Sequence, residues 1–154
     1  MRKINLLWLV GLLLTLGLTS CSDDEDGGSP NDLVGVWERT YCEEWYVDED
    51  GQKEDLSEDW DQVYIIFNED GTGVSWSCEI YRGREKWYDD YFTWKVEKGK
   101  LYVHDEAGDE DEWQAMSFNV SGSSLTFQAH EKEDGEEYYA KLIFQRSNRT
   151  EFGE

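Results

Sequence analysis

The side chains that could bind a metal ion or act as a nucleophile are two histidines, three cysteines and 36 carboxylates. His104 and His130 are far apart, and the chain has no His-x-x-x-His or Cys-x-x-Cys spacing of the kind typical of metal sites. It also has no Gly-x-Ser-x-Gly, phosphate-loop or dinucleotide-binding motif. Carboxylate pairs like those of glycosidases are so abundant that no single pair is informative. The sequence therefore predicts no catalytic residue, no metal and no cofactor, and we expect that the chain is not an enzyme.

The first cysteine follows an apolar segment near the N-terminus. Arg2 and Lys3 precede the apolar residues 6–18, which are too few to span a bilayer comfortably, and this pattern predicts a signal peptide. The residues that end the segment, Leu-Thr-Ser-Cys at 18–21, resemble the lipobox of bacterial lipoproteins. That resemblance implies that residues 1–20 are removed and that Cys21 is diacylated, which attaches the chain to a membrane through lipid. An ordinary secretory signal with a chance cysteine is the alternative.

The composition of residues 21–32 predicts a flexible tether that begins at the lipidated cysteine. They are acidic and rich in glycine and contain the only proline of the chain, Pro30, so they offer little to a hydrophobic core. A short acidic run in this position resembles the surface-export signal of some Gram-negative lipoproteins. The resemblance implies an outer-membrane lipoprotein exposed at the cell surface, and a lipoprotein that faces the periplasm is the alternative.

The charge of the chain limits its partners. The formal net charge is −22 at pH 7, from 14 basic and 36 acidic residues. Nucleic acid and anionic membrane surfaces need basic partners, so both are disfavoured. We expect instead an unknown ligand or a cationic protein or peptide, bound by a monomer.

Alternating apolar and polar residues predict an all-β domain over residues 33–147, followed by a C-terminal tail over 148–154. Glycine-containing turn signals separate runs rich in aromatic and β-branched residues, and no connection is long enough for a crossover helix. Eight antiparallel strands favour a closed up-and-down β-barrel because closure removes exposed edges, and a two-sheet β-sandwich is the alternative. The predicted strands are 35–47, 62–67, 73–81, 87–96, 100–105, 113–120, 124–130 and 138–146.

The start of the first predicted strand, Gly35-Val36-Trp37, resembles the G-x-W opening of the lipocalins. The segments 67–73 (FNEDGTG) and 93–103 (TWKVEKGKLYV) are similar to the smaller lipocalin-like, calycin-type domains of bacterial lipoproteins. The resemblance implies a binding barrel in which an arginine near the end of the last strand packs over the tryptophan, a role that Arg146 matches. The chain is shorter than a typical lipocalin and lacks the C-terminal helix of that family, so carriage of a small ligand does not follow from the resemblance.

The predicted barrel should have one strongly acidic end. Alternate connections lie at the same end, so 48–60, 82–86, 105–112 and 131–137 should ring what we call the mouth. Three of these connections hold half of the 36 acids, whereas 82–86 is basic, and a negative mouth favours cations. The candidate partner-binding residues are Asp48, Asp50, Asp105, Asp109, Glu110, Asp111, Glu133, Asp134, Arg82 and Arg84.

Strand parity predicts the interior of the barrel and bears on the two remaining cysteines. Cys42 has the opposite parity to Trp37, and a strand lies between Cys42 and Cys78, so a disulfide between them would need a bulge or a chord across the barrel. An exported chain with two cysteines nevertheless favours a bridge, and both alternatives stay open. The expected inward residues are Ile65, Phe67, Val74, Trp76, Phe92, Trp94, Met116, Phe118, Leu125, Phe127, Leu142 and Phe144.

Three classes of function fit these patterns. We expect a non-enzymatic binding or interaction module at the cell envelope. A structural or protective envelope protein, or an inhibitor of a cationic partner enzyme, is the alternative, and a carrier of a small ligand is less favoured because large side chains should fill the barrel. A hydrolase would need two carboxylates that face one cleft.

Overall fold

A computed structural model of the chain describes residues 28–57, 59–105 and 113–153. They form one short helix and nine β-strands. The helix α1 is Pro30–Leu33, and its N-terminus is stabilised by the Asp32 carboxylate, which accepts a hydrogen bond from the Ser29 amide at 2.8 Å. The strands are β1 Gly35–Val47, β2 Lys53–Asp55, β3 Gln62–Phe67, β4 Thr72–Tyr81, β5 Arg84–Glu97, β6 Lys100–Asp105, β7 Gln114–Ser121, β8 Ser124–Glu133 and β9 Glu136–Arg146.

The strands form a closed antiparallel barrel, which confirms the predicted fold class and excludes the two-sheet sandwich. Sequence neighbours from β3 to β9 pair in order, and β1 pairs with both β3 and β9. The β1–β3 pairing covers only residues 35–38, whereas the β1–β9 pairing runs from Trp37 to Val47. Eight strands make the barrel wall, and β2 is an additional three-residue strand that pairs with the end of β1 inside the first predicted connection.

Two of the predicted mouth connections are shorter than expected. The turn between β4 and β5 is only Arg82-Gly83, and the turn between β8 and β9 is only Asp134-Gly135; all four residues have positive φ, as tight two-residue hairpin turns require. The predicted loops 82–86 and 131–137 are therefore mostly strand, and Arg84 and Glu133 lie on β5 and β8. Charged segments without apolar residues are typical of loops, which is why the sequence predicts loops here. The turns at Gly83 and Gly135 are tight, so strand pairing continues through the charged residues on either side.

The N-terminal helix lies at the closed end of the barrel. Leu33 is fully buried there, and residues 30–32, which the sequence analysis assigned to the tether, form most of α1. Gly28 lies close to Phe118 and Val120, so the chain joins the barrel at this end. No helix in the described ranges is both long and apolar enough to cross a membrane.

Among the residues expected to face inward, those of β4 alone depart from the predicted parity. The described core includes nine of the twelve expected residues, and Met116 is partly buried against it. Val74 and Trp76 do not belong to that core: Gly73 and Ser75 are the inward residues of this part of β4, opposite the inward Phe67 and Ile65. The prediction was wrong because β4 carries apolar side chains on its outer face, where another part of the chain covers them.

Gly73 explains which face of β4 turns inward. A Cβ atom at this position would lie 2.3 Å from the Phe92 ring and 2.8 Å from the Ile66 carbonyl oxygen. Phe92 packs edge-on against Phe67 with ring centroids 5.6 Å apart, so the missing side chain makes room for the centre of the core.

We expect Gly73→Ala to destabilise the barrel by about 1–3 kcal/mol, because the added methyl group overpacks the core against a backbone atom that cannot move away. Urea denaturation of the variant measures the loss. As a matched test, the same substitution in a Phe92→Leu background should cost less, since the smaller side chain vacates part of the space. Equal costs in both backgrounds would contradict the steric explanation.

Candidate functional site

The candidate site lies in the half of the barrel interior away from Trp37. A bulge in β1 sets it up: the register with β9 shifts between Arg39 and Tyr41, so Thr40 is an extra residue. Before the bulge, Trp37 and Arg39 share the inward face; after it, Cys42, Glu44 and Tyr46 do. The parity assigned to Cys42 from the sequence was therefore wrong, and Cys42 packs against the core from inside.

Glu44 is a carboxylate inside the barrel, with only 3% of its surface exposed. Its Oε1 accepts a hydrogen bond of 2.8 Å from the hydroxyl of Tyr138. Its backbone is fixed by the segment after β2, since the Glu44 carbonyl accepts from the Leu56 amide at 2.9 Å and the Glu44 amide donates to Ser57 Oγ at 3.0 Å. Burying a carboxylate costs free energy unless it is hydrogen-bonded or paired, so this position is held by specific contacts.

Three further carboxylates face the same interior. Asp90 is the register partner of the buried Ser75, and Asp105 is the partner of the buried Phe92. Glu131 is the partner of Tyr138, the residue that donates to Glu44. Residues directly opposite in an antiparallel pair have side chains on one face, so all these carboxylates face the lumen.

Arg39 also faces this interior, as the register partner of the fully buried Phe144. We call Arg39, Glu44, Asp90, Asp105 and Glu131 together the polar half of the barrel. It holds four carboxylates and one guanidinium, and of these Glu44 is almost fully removed from the solvent that would screen its charge. The polar half is therefore formally negative and favours a cation.

Aromatic side chains border the polar half. Trp60, from the segment that fills the wall between β2 and β3, packs against the core and contacts Tyr88 with ring centroids 5.4 Å apart. On the opposite side, the Tyr46 hydroxyl donates a short hydrogen bond to Glu136. Carboxylates beside aromatic faces can bind organic cations through both charge and cation–π contacts.

Titration of these groups reflects burial and neighbouring acids. Hydrogen bonding to the Glu136 carboxylate raises the pKa of Tyr46 to about 12. Burial, reinforced by Glu44, raises the pKa of Tyr138 well above its usual range, and burial raises the pKa of Glu131, with Glu133 adding to the effect. Both tyrosines therefore stay neutral donors at physiological pH.

The predicted rim residues lie where two hairpins project at this end. Arg82 stands at the tip of the β4–β5 hairpin, 5.1 Å above the ring of the exposed Tyr81, and Arg84 is the cross-strand partner of Tyr81. Glu133 and Asp134 stand at the tip of the β8–β9 hairpin. The two hairpins are separated by half of the barrel wall in the strand order, so the basic and acidic tips lie on opposite sides of the mouth.

The other predicted rim residues have mixed outcomes. Asp48 begins the turn before β2, and its carboxylate accepts from the Gln52 amide at 2.8 Å, which is a structural contact. Asp50 is exposed in that turn. Asp109, Glu110 and Asp111 lie outside the described residues, as does Cys21.

Neither Cys42 nor Cys78 is part of a disulfide in the described residues. Cys42 faces the interior, whereas Cys78 shares the outer face of β4 with Trp76 and is fully buried there. The two sulfurs therefore lie on opposite faces of the wall, and the bridge left open by the sequence is not formed. No group of three or more histidine, cysteine or acidic side chains in the described part of the chain is arranged to hold a metal ion.

Sequence reasoning placed Asp105 and Glu131 in mouth connections and missed Glu44 and Asp90 inside the barrel. Three of them carry a signal in the sequence: Asp90 has the parity of Phe92 and Trp94, and Asp105 has the parity of Val103. Glu131 likewise continues the inward series of Phe127. Glu44 carries no such signal, since its inward direction depends on the bulge at Thr40.

The comparison with known proteins agrees with this geometry. Residues 33–127 match the lipocalin-like domain family, from the last residue of α1 into β8. This match covers more than half of the chain, so the chain belongs to the lipocalin-like domain family. In general the proteins of this family are non-enzymatic binding modules. No curated protein matches the chain.

Proposed function

We propose that this protein is an envelope lipoprotein, anchored through Cys21, whose lipocalin-like barrel captures a cationic ligand or a cationic segment of a partner at its acidic end. The observation that carries the proposal is the charge of the polar half, whose five described residues are four carboxylates and one arginine. A purely structural role does not require Glu44, because replacing a buried charged group by a well-packed apolar residue is often neutral or stabilising.

The direction of the chain supports the role of this end. Gly28 lies beside Phe118 and Val120 at the closed end, and the polar half lies toward the other end of β1. A barrel anchored through Cys21 would therefore present its acidic end away from the membrane. A net charge of −22 adds long-range attraction for cations, which raises the association rate more than it lowers the dissociation rate.

The test is binding of a cationic peptide, with a neutral peptide of equal length as the probe control. We expect the association rate to fall steeply as salt rises through physiological strength, where the Debye length is about 8 Å. Changing Asp109, Glu110 and Asp111 to Asn, Gln and Asn should slow association several-fold with little change in dissociation.

Variants of interior residues distinguish the contribution of the lumen to binding from that of the rim. Asp90→Asn should speed dissociation of a ligand that enters the polar half, whereas Asp50→Asn, on the exposed turn before β2, is the matched control and should leave dissociation unchanged. Stopped-flow fluorescence measures both rates. A cationic peptide that binds all variants like the wild type, or that binds no better than the neutral peptide, would refute the proposal.

A further inference from the structure

The C-terminal segment occupies a groove on the outside of the barrel. Three aromatic residues form this outer groove: Tyr64 on β3, Trp76 on β4 and Trp87 on β5. Residues 149–153 lie in it, on the face of the wall opposite to the lumen. The outer groove therefore holds a peptide at a place separate from the polar half.

Arg149 makes the polar contacts between the C-terminal segment and the outer groove. Its guanidinium lies 4.6 Å from the ring centroid of Trp87 and 5.1 Å from that of Tyr64. Its Nη1 donates to Gln62 Oε1 at 2.9 Å and to the Tyr64 hydroxyl at 3.3 Å. An arginine over two neighbouring aromatic rings, with a hydrogen-bond acceptor at its tip, is a specific recognition geometry for guanidinium.

Phe152 makes the apolar contacts between the C-terminal segment and the outer groove. Its ring stacks on Trp76 with centroids 5.9 Å apart and planes within 13°, and it contacts Tyr64 edge-on at 5.1 Å. Gly153 follows where a Cβ would lie 2.7 Å from the Trp76 ring, so the backbone passes close over the indole. The Arg149 Nε donates to the Glu151 carbonyl at 2.9 Å, which curls the segment so that both side chains enter the groove.

Side chains hold this segment, not strand pairing. In the described residues, the last backbone hydrogen bond between the tail and the barrel is donated by the Ser147 amide to the Val36 carbonyl at 2.9 Å. Beyond Ser147 the segment has no regular secondary structure. A peptide held by two anchoring side chains on a preformed surface can exchange with another peptide that carries the same anchors.

We propose that the outer groove is a peptide-recognition site, occupied by the chain's own residues 149–153, which accepts in trans a segment with arginine three residues before phenylalanine. The tethered segment competes at an effective concentration of about the millimolar range. A free peptide therefore binds the intact chain weakly, and the site becomes available when the tail is removed or weakened.

Cys78 gives a direct measure of whether the groove is covered. It is the cross-strand partner of Trp87 and is fully buried beneath the outer groove. Burial also raises the pKa of its thiol, which keeps it unreactive. Alkylation at Cys78, identified by peptide mass mapping, reports opening without interference from the other cysteines.

The first experiment titrates a synthetic peptide of residues 148–153 into the chain truncated after Ser147, followed by tryptophan fluorescence. We expect the truncated chain to bind at least about tenfold more tightly than the intact chain, since no tail competes. Peptides with Arg149→Ala or Phe152→Ala should bind about tenfold more weakly, whereas Glu151→Ala, at an exposed position that contributes only its backbone carbonyl, is the matched control. A folded truncated chain that fails to bind, or that binds all four peptides equally, would overturn the proposal.

The second experiment uses the intact chain with its tail, so its result does not depend on whether the truncated chain folds. Phe152→Ala in the intact chain should speed alkylation of Cys78 about tenfold, and Glu151→Ala should leave it unchanged. Adding the wild-type peptide in trans should then slow the alkylation of the Phe152→Ala variant again. If the peptide does not change the rate of Cys78 alkylation, the tail packs in the groove only as part of its own chain, and the proposal is overturned.

Discussion

Trp37→Ala should destabilise the barrel by about 3–5 kcal/mol, the range observed when a large buried aromatic side chain is removed and leaves a cavity. Trp37 is fully buried at the closed end, and its Nε1 donates a hydrogen bond of 2.7 Å to the Leu33 carbonyl. The variant thus loses both core contacts and the bond that fastens α1 to the barrel. A small domain has about 5–15 kcal/mol in total, so the variant should be close to unfolding.

Arg146 contributes to the same junction. Its guanidinium lies 4.3 Å from the ring centroid of Trp37, and its two terminal nitrogens donate to the Val34 and Asp32 carbonyls at 2.9 Å and 2.6 Å. One residue thus covers the tryptophan and caps the C-terminal end of α1. Gly35 has a positive φ, and a Cβ atom at this position would lie 2.9 Å from the Arg146 Nη1. The absence of a side chain at Gly35 therefore leaves room for the guanidinium.

Urea denaturation followed by circular dichroism measures the effect of Trp37→Ala. Trp113→Ala is the matched control, because Trp113 is 37% exposed and lies outside the core, so its removal should cost far less. Arg146→Lys should lie between the two, since it keeps the charge but loses the forked hydrogen bonds. A Trp37→Ala variant as stable as Trp113→Ala would show that the closed end does not hold the barrel together.

The closed end could be predicted from the sequence because its signals are local. Gly35 and Trp37 open a strand, and the inward series of β8, such as Leu125 and Phe127, alternates cleanly with polar residues. Periodicity of this kind specifies which face is buried, and eight such strands specify closure. The turn glycines fixed the order of pairing, so the topology followed without knowledge of any long-range contact.

The candidate site could not be predicted in the same way because it depends on long-range events. The bulge at Thr40 changes the face of every later residue of β1, and a sequence of alternating polar and aromatic residues does not show where one residue is extra. The outward Trp76 is covered by Phe152, which lies far along the chain, so the outer face of β4 carries apolar residues that the sequence alone assigns to the interior. Parity identifies a buried face only where the opposite face is left to solvent.

The proposed anchor gives the second large expected effect. Cys21→Ala should move the protein from the membrane fraction to the soluble fraction almost completely, because each buried methylene of an acyl chain contributes about 0.8 kcal/mol to membrane binding. Fractionation of the native host followed by immunoblotting measures the distribution, and metabolic labelling with a clickable fatty acid measures acylation directly.

Cys42→Ala is the matched control for the anchor, since it removes a thiol that faces the barrel interior and cannot be reached by an acyltransferase in the folded chain. This variant should stay in the membrane fraction and carry the label, whereas Cys21→Ala should lose both. Equal labelling of Cys21→Ala and wild type would contradict lipidation at this residue. Loss of the label with retention in the membrane would instead indicate that the apolar segment 6–18 is kept as an anchor, and the acidic end would then be presented on a chain that is not cleaved.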